Sequence, residues 1–148
     1  MKLSRIIYPA LFLLLLFAGC KKEEAISEVP SIKFVSMNPN PAIRYQDELV
    51  ITIEYTDGNG DLGENTPDAK NLFVRDNRNN VTSEFRIRQL APDNANIIIS
   101  GPLKINLPPQ GFIDDNNTTE TATYSIYLVD RAGNQSNTIE TPALMINK

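Results

Sequence analysis

The chain has 148 residues and a formal net charge of −4, with 18 Asp and Glu, 14 Lys and Arg, one Cys, and no His or Trp. This acidic balance excludes a nucleic-acid-binding surface, which needs clustered Lys and Arg. The lack of His excludes Ser-His-Asp and Cys-His catalysis, so an enzyme would have to work through carboxylates alone and we expect none. The oxygen-rich side chains that remain suit calcium better than zinc, copper or iron.

The N-terminal segment has the features of an export signal. Lys2 and Arg5 precede an apolar run at 6–18, which at about 13 residues is too short to span a bilayer as a helix. The run ends Phe17-Ala18-Gly19-Cys20. This ending resembles the lipobox of bacterial lipoproteins, although Phe17 stands where Leu is usual. The resemblance implies that residues 1–19 are a lipoprotein signal peptide and that Cys20 is lipidated. An ordinary secretory signal is the alternative.

Residues 20–31 are predicted to be the lipidated Cys and a polar tether. The sequence Lys21-Lys22-Glu23-Glu24 resembles the surface-export signal of Bacteroidota lipoproteins, and a plain solvated spacer is the alternative. The resemblance implies a lipid-anchored protein of the bacterial outer membrane that faces the cell surface. Eleven tether residues extend over at most about 36 Å, so the domain that follows stays near the membrane.

The remainder, residues 32–148, shows the period-two alternation of β-strands and no helical stripe. Alternation is clearest at 49–55, 103–107 and 124–129, with shorter runs at 32–34, 72–74, 85–87 and 139–146. Turn residues separate these runs, and Pro41, Pro102 and Pro142 fit edge strands or strand ends. About seven strands in one all-β domain predict an antiparallel two-sheet β-sandwich, with a small closed barrel as the alternative.

The turn before the last strand carries a more specific pattern. Asp130, Ala132, Gly133, Asn134 and Ser136 match the "D-x-A-G-N-x-S" turn that joins the last two strands of bacterial immunoglobulin-like domains. The chain therefore resembles that family, which implies an immunoglobulin-like sandwich. The Cys…Trp…Cys signature of antibody domains is absent. In the strand that leads into this turn, Tyr124 is predicted to be either a tyrosine corner or a plain core residue.

A loop of alternating oxygen side chains and glycines follows the second predicted strand. Asp57, Asn59 and Asp61 match positions one, three and five of an EF-hand-like calcium loop, and Asp68 falls at position twelve. Leu62 replaces the usual glycine and no helices flank the loop, so an EF-hand fold is excluded. In an immunoglobulin-like sandwich Asp130 would lie at the same end and complete a calcium site. A glycine-rich turn capped by its own acids is the alternative.

In an immunoglobulin-like sandwich, the first strand also begins at the end where the loops that carry Asp57 and Asp130 lie. Residue 32 is therefore expected to lie near Asp57 and Asp130, and the loops are expected to face the membrane. Two other charged clusters are interpreted as solvent-exposed: Asp114, Asp115 and Glu120 in a loop, and Glu84, Arg86 and Arg88 on a strand face.

The sequence thus predicts a membrane-anchored, non-catalytic interaction or structural module, with calcium as its only expected cofactor. The alternative is a ligand-binding accessory module, for glycan or peptide, in an envelope uptake or adhesion system. The expected partners are the membrane, through the N-terminal lipid, and an unidentified protein or glycan. Exposed aromatic or apolar surface would favour the ligand-binding alternative.

Overall fold

The structure is a computed structural model that describes residues 26–148. The predicted signal peptide, Cys20 and the first part of the tether lie outside the described residues. Residues 26–148 contain ten β-strands and no helix, and hence no helix that could cross a membrane. The strands are β1 (Ser31–Asn38), β2 (Ala42–Ile43), β3 (Leu49–Asp57), β4 (Leu72–Asp76), β5 (Thr82–Phe85), β6 (Ile99–Leu107), β7 (Thr119–Ala122), β8 (Tyr124–Leu128), β9 (Ile139–Glu140) and β10 (Leu144–Asn147).

The strands form three hydrogen-bonded sheets with the orders β1-β3-β6, β2-β10-β7 and β5-β4-β8-β9. All pairs are antiparallel except β2 with β10, which run parallel. A single residue, Thr123, separates β7 from β8, and residues 141–143 separate β9 from β10. The Thr141 amide still donates to the Tyr124 carbonyl at 2.9 Å, so the β8–β9 pairing extends by one residue towards the β7–β10 pair.

One hydrophobic core joins the three sheets. Strand β3 shows why, because its residues alternate between the core and the outer face as a pleated strand requires. Leu49, Ile51 and Ile53 are completely buried, and they meet Leu128, Leu144 and Ile146 from the other sheets in the same cluster. The alternation predicted from the sequence is therefore the alternation that builds the core.

The all-β prediction is confirmed, but several strand bounds differ from it. The strand expected at 85–87 lies at Thr82–Phe85, and the run at 139–146 is two short strands. Ile87 is buried although it is not in a strand, because the Asn71 side chain makes the backbone hydrogen bonds that a neighbouring strand would otherwise make. Asn71 Oδ1 accepts from the Ile87 amide at 2.6 Å, and Nδ2 donates to the Ile87 carbonyl at 3.2 Å. Strands β2 and β7 lack clear alternation and were not predicted.

Candidate metal site between two loops

Two loops meet at one end of the strands. One joins β3 to β4 (residues 58–71) and the other joins β8 to β9 (residues 129–138). Backbone hydrogen bonds link them: the Arg131 amide donates to the Asp61 carbonyl at 3.2 Å, and the Val129 amide donates to the Asn71 carbonyl at 3.0 Å. The loops predicted to share an end therefore lie side by side.

Asp57 is the last residue of β3 and points inward, as the strand alternation requires. It is completely buried. Its Oδ2 accepts a hydrogen bond from the Leu62 amide at 3.0 Å, whereas its Oδ1 is buried and has no hydrogen-bond partner among residues 26–148. A carboxylate oxygen buried without a partner is energetically costly, so a cation ligand there would be stabilising.

Asp61 lies in the same loop and has a second such atom. Its Oδ1 is buried and has no partner in the described part of the chain. Burial raises the pKa of Asp61, and the negative charges of Asp130 and Asp57 raise it further, against smaller opposing contributions from Asn59 and Arg131. The three carboxylates are thus close enough to repel one another, which favours a bound positive charge.

Asp130 contributes charge, but both its oxygens already accept hydrogen bonds. Oδ1 accepts from the Asn134 amide at 2.7 Å, and Oδ2 accepts from Asn134 Nδ2 at 2.9 Å. Ser136 is buried, and its Oγ accepts from the Leu128 amide at 3.0 Å. The residues of the predicted D-x-A-G-N-x-S turn therefore close that turn, and Asp130 keeps only its remaining lone pairs for an ion.

Arg131 lies against the loop and was missed by the sequence analysis, where it occupied an unspecified position of the turn motif. Its Nη1 donates to the Gly63 carbonyl at 2.7 Å and its Nη2 to the Gly60 carbonyl at 3.4 Å. The guanidinium thereby offsets part of the negative charge of the carboxylates, and its two hydrogen bonds stabilise the curved conformation of the β3–β4 loop. Gly60 has φ +77°, a conformation that residues with a side chain rarely adopt.

The predicted ligands are not all brought together. Asp57, Asp61 and Asp130 cluster, and Asn59 adjoins them, since its Oδ1 accepts from the Asp61 amide at 3.4 Å. Asp68 is exposed in a separate turn. In residues 26–148 no three His, Cys, Asp or Glu side chains are already arranged to hold a metal ion. A cation would therefore need the Asn59 amide, backbone carbonyls or water to complete its shell.

The start of the domain lies at this end, as expected for residue 32. Ser31 pairs with Thr56 at the end of β3. Asn137, from the β8–β9 loop, accepts from the Ile32 amide at 2.8 Å and donates to the Ile32 carbonyl at 3.0 Å. An open cleft of about 500 Å³ borders the site and is lined by Asn59, Asp61, Asp93, Asn94, Ala95, Asn96, Arg131 and Ala132.

The opposite end holds an ion-pair network that includes Glu120, a residue predicted from the sequence to be exposed to solvent. Arg78 pairs with Asp76 at 2.6 Å and with Glu120 at 2.8 Å, and the three side chains are only 10%, 13% and 14% exposed. Glu120 is therefore largely buried, whereas Asp114 and Asp115 are exposed as expected. Burial raises the pKa of Glu120, but hydrogen bonds from the Ile113 amide, Arg78 and the Asp114 amide outweigh it and lower the pKa overall.

Tyr124 lies beside this network as a core residue. Its ring is buried, and its hydroxyl has no hydrogen-bond partner within the described residues, which agrees with the plain core residue and not with the tyrosine corner, the two alternatives predicted for it. Burial raises the pKa of Tyr124 to about 12.

An aromatic pair lies on the outer face of the four-stranded sheet. Phe73 and Tyr127 are half-buried, stand opposite each other in β4 and β8, and stack with their ring centroids 4.8 Å apart.

The charged residues Glu84, Arg86 and Arg88, predicted to share one strand face, do not do so, because β5 ends before Arg86 and Arg88. Arg86 instead donates to the carbonyls of Asn65 and Thr66, both at 3.2 Å.

No protein-family model matches the chain, and a search of curated proteins finds no significant match. One solved structure, described as "X-ray structure of Northeast Structural Genomics Consortium target SoR45", aligns over 80% of this chain and 83% of its own. The two chains share 10% sequence identity with a TM-score of 0.30. A likeness of this extent supports no conclusion about the fold or the function of this chain.

Proposed function

We propose that the chain is a lipid-anchored protein of the bacterial outer membrane whose domain is a non-catalytic interaction or structural module stabilised by calcium. The anchor rests on the sequence Phe17-Ala18-Gly19-Cys20 and on its resemblance to a lipobox. The observation that carries the calcium part is the completely buried Asp57, with one carboxylate oxygen that has no partner among residues 26–148.

An immunoglobulin-like sandwich is the architecture we propose for the module. When the interrupted strands β7–β8 and β9–β10 are each counted once and the short β2 is set aside, seven main strands remain. The first, second and fifth then form one sheet, and the fourth, third, sixth and seventh form another. The constant-type immunoglobulin order differs in one strand, since there the fourth strand pairs with the fifth. This agreement supports the proposal.

The calcium ligands that we propose are Asp57, Asn59 and Asp61, with Asp130 supplying additional charge. Two partially satisfied carboxylates and an amide oxygen on one glycine-containing loop provide the hard oxygen donors that calcium prefers. Bound calcium would remove the repulsion that raises the pKa of Asp61. It would therefore stiffen the β3–β4 loop and strengthen the attraction between that loop and Asp130 in the β8–β9 loop.

A second candidate function is ligand binding on the outer face of the four-stranded sheet. The stacked Phe73–Tyr127 pair supports this candidate because aromatic faces are common contacts for sugars and peptides. A glycan-array measurement with the Phe73→Ser variant as the control tests it. Array binding that disappears in the variant supports ligand binding, and the absence of binding to any glycan leaves peptide as the remaining class.

The anchor is tested by fractionating cells that express the full chain or its Cys20→Ser variant. The unaltered protein is expected with the outer membrane and the variant in the soluble fraction, because a multiply acylated cysteine holds firmly to a bilayer. Membrane association that persists in the variant would contradict acylation of Cys20.

The calcium site is tested by thermal unfolding of the purified mature lipoprotein in detergent at increasing calcium concentration. A ligand that binds only the folded state must raise the unfolding midpoint as its concentration rises. Magnesium at the same concentrations is the control, because it demands a tighter octahedral shell. An unchanged midpoint throughout the millimolar range would leave the loop as an ordinary acid-capped turn.

A further inference from the structure

Exposed aliphatic side chains concentrate at the end of the domain where the chain enters it. One group lies just before β1 and the other just before β6. Strands β1 and β6 flank β3 in the same sheet, and their first residues stand opposite Thr56 and Asp57 at the end of β3. Four of these side chains form what we call the aliphatic end: Ile26, Val29, Ile97 and Ile98, with exposed fractions of 46%, 44%, 49% and 57%.

The glycines of the acidic loop connect the two aliphatic segments. Gly58 packs so closely on the carbonyls of Ile26 and Ser27 that a Cβ at this position would lie 2.8 Å from the Ile26 oxygen. Gly60 packs on the other segment, where a Cβ would lie 2.8 Å from the Ile97 oxygen. The two segments therefore flank one loop at the same end of the domain.

We propose that the aliphatic end lies on the lipid surface to which Cys20 is anchored, an inference that rests on the anchor proposed above. Only residues 21–25 separate Cys20 from Ile26, and five residues extend over at most about 18 Å. The aliphatic end is therefore the part of the domain closest to the acyl chains. Aliphatic side chains in that position enter the boundary between headgroups and acyl chains, where burial of apolar surface is favourable.

The charge around this surface determines which lipids it prefers. Asp57, Asp61 and Asp130 lie within the same end, and Arg131 offsets only part of their charge. An acidic end is repelled by anionic headgroups, and a cation in the loop would reduce that repulsion. The aliphatic end is therefore expected to contact zwitterionic lipid with or without calcium, and anionic lipid more strongly with calcium.

The test uses the full mature lipoprotein reconstituted into phosphatidylethanolamine–phosphatidylglycerol vesicles that contain brominated lipids, which quench nearby tryptophan fluorescence. The chain has no tryptophan of its own, so Ile98→Trp introduces a single probe. The matched control is Val81→Trp. Val81 is 60% exposed, compared with 57% for Ile98, and its carbonyl accepts from the Asp76 amide at the opposite end of the domain.

The tryptophan of the Ile98→Trp variant is expected to be quenched at least about threefold more than that of Val81→Trp, because only the former enters the lipid interface. Equal, weak quenching of the two variants would overturn the proposal. Protection of the Ile98→Trp probe from aqueous acrylamide without lipid quenching would also overturn it, because another protein surface, such as a second copy, would then cover the aliphatic end.

Flotation of the vesicles separates this proposal from the proposed function. Protein that fails to float with the vesicles contradicts the anchor, and membrane docking is then overturned with it. If the protein floats and the difference in quenching between the two variants is the same in calcium and in chelator, the result supports docking through the aliphatic side chains alone. It then gives no support to a calcium site. Stronger quenching in calcium supports both.

Discussion

Replacing Asp57 by Asn should change the stability of the domain in opposite directions with and without calcium. In chelator, the unaltered chain keeps a fully buried carboxylate whose Oδ1 has no partner among residues 26–148. The Asp57→Asn substitution removes that charge, while the amide oxygen it introduces can still accept from the Leu62 amide. The new Nδ2 then takes the unpartnered place of Oδ1, but a buried neutral amide costs less to desolvate than a buried carboxylate, so we expect the variant to be more stable in chelator by about 1 kcal/mol.

Calcium should reverse this order of stability, so that the unaltered chain becomes more stable than the Asp57→Asn variant. Calcium sites of extracellular modules have dissociation constants of about 0.1–1 mM, so about 10 mM calcium exceeds them roughly 10- to 100-fold. That excess stabilises the folded state by about 1.4–2.7 kcal/mol. For a domain of this size the unfolding midpoint rises by about 4 °C per kcal/mol, which amounts to about 6–11 °C for the unaltered chain. The variant, which lacks the buried carboxylate ligand, should gain little.

Thermal unfolding followed by circular dichroism, in chelator and in calcium, measures both effects. The Asp115→Asn variant is the control, since Asp115 has a side chain 76% exposed in a surface ion pair with Arg44. The control should respond to calcium as the unaltered chain does. If Asp57→Asn retains the full calcium-induced shift, the ion does not bind at Asp57. If it is also less stable than the unaltered chain in chelator, the buried carboxylate stabilises the folded domain without a cation.

Three further outcomes follow from groups whose surroundings are unusual. In chelator, the raised pKa of Asp61 contributes to the free energy of unfolding fully below pH 3.8, the ordinary pKa of Asp, and this contribution is lost as the pH rises through the raised pKa. Urea unfolding at several pH values should show this loss, and Asp61→Asn should abolish it. Tyr124→Phe removes a hydroxyl that has no partner in residues 26–148; it should leave the free energy of unfolding unchanged or raise it by up to about 1 kcal/mol, and a clear decrease would reveal an overlooked hydrogen bond. Arg78→Ala leaves Asp76 and Glu120 largely buried without their cation; urea unfolding should show a loss of about 3–5 kcal/mol, and a loss below about 1 kcal/mol would mean that solvent reaches the network.

The sequence predicted those parts of the fold that depend on local alternation. Strand β3 was predicted almost to its ends because its side chains alternate between core and outer face along the whole strand. Strand β2 has two residues and pairs with β10 about a hundred positions away, so no local pattern can indicate it. Ile87 looked like a strand residue because it is apolar, but the Asn71 side chain satisfies its backbone.

The candidate site was likewise predicted from the sequence only in part. The adjacency of Asp57, Asp61 and Asp130 followed from the strand order expected for an immunoglobulin-like domain, because that order brings the two loops to one end. The position of Asp68 was inferred from loop spacing alone, and without the helices of an EF-hand nothing holds it near Asp57. The Arg78–Glu120 pair joins residues 42 positions apart, and neither residue lies in a pattern that indicates burial.

The pair of hydrogen bonds between the Asn137 side chain and the backbone of Ile32 has a mechanical consequence. If Cys20 is lipidated as proposed, tension applied through that anchor would enter the domain at β1 and pull along that strand, so the hydrogen bonds between β1 and β3 would resist in shear and share the load. The contact between Asn137 and Ile32 lies near the start of that path, at the second residue of β1. A partner that pulls from the end beside Arg78 would therefore meet a domain whose resistance is set by its unfolding rate rather than by its equilibrium stability.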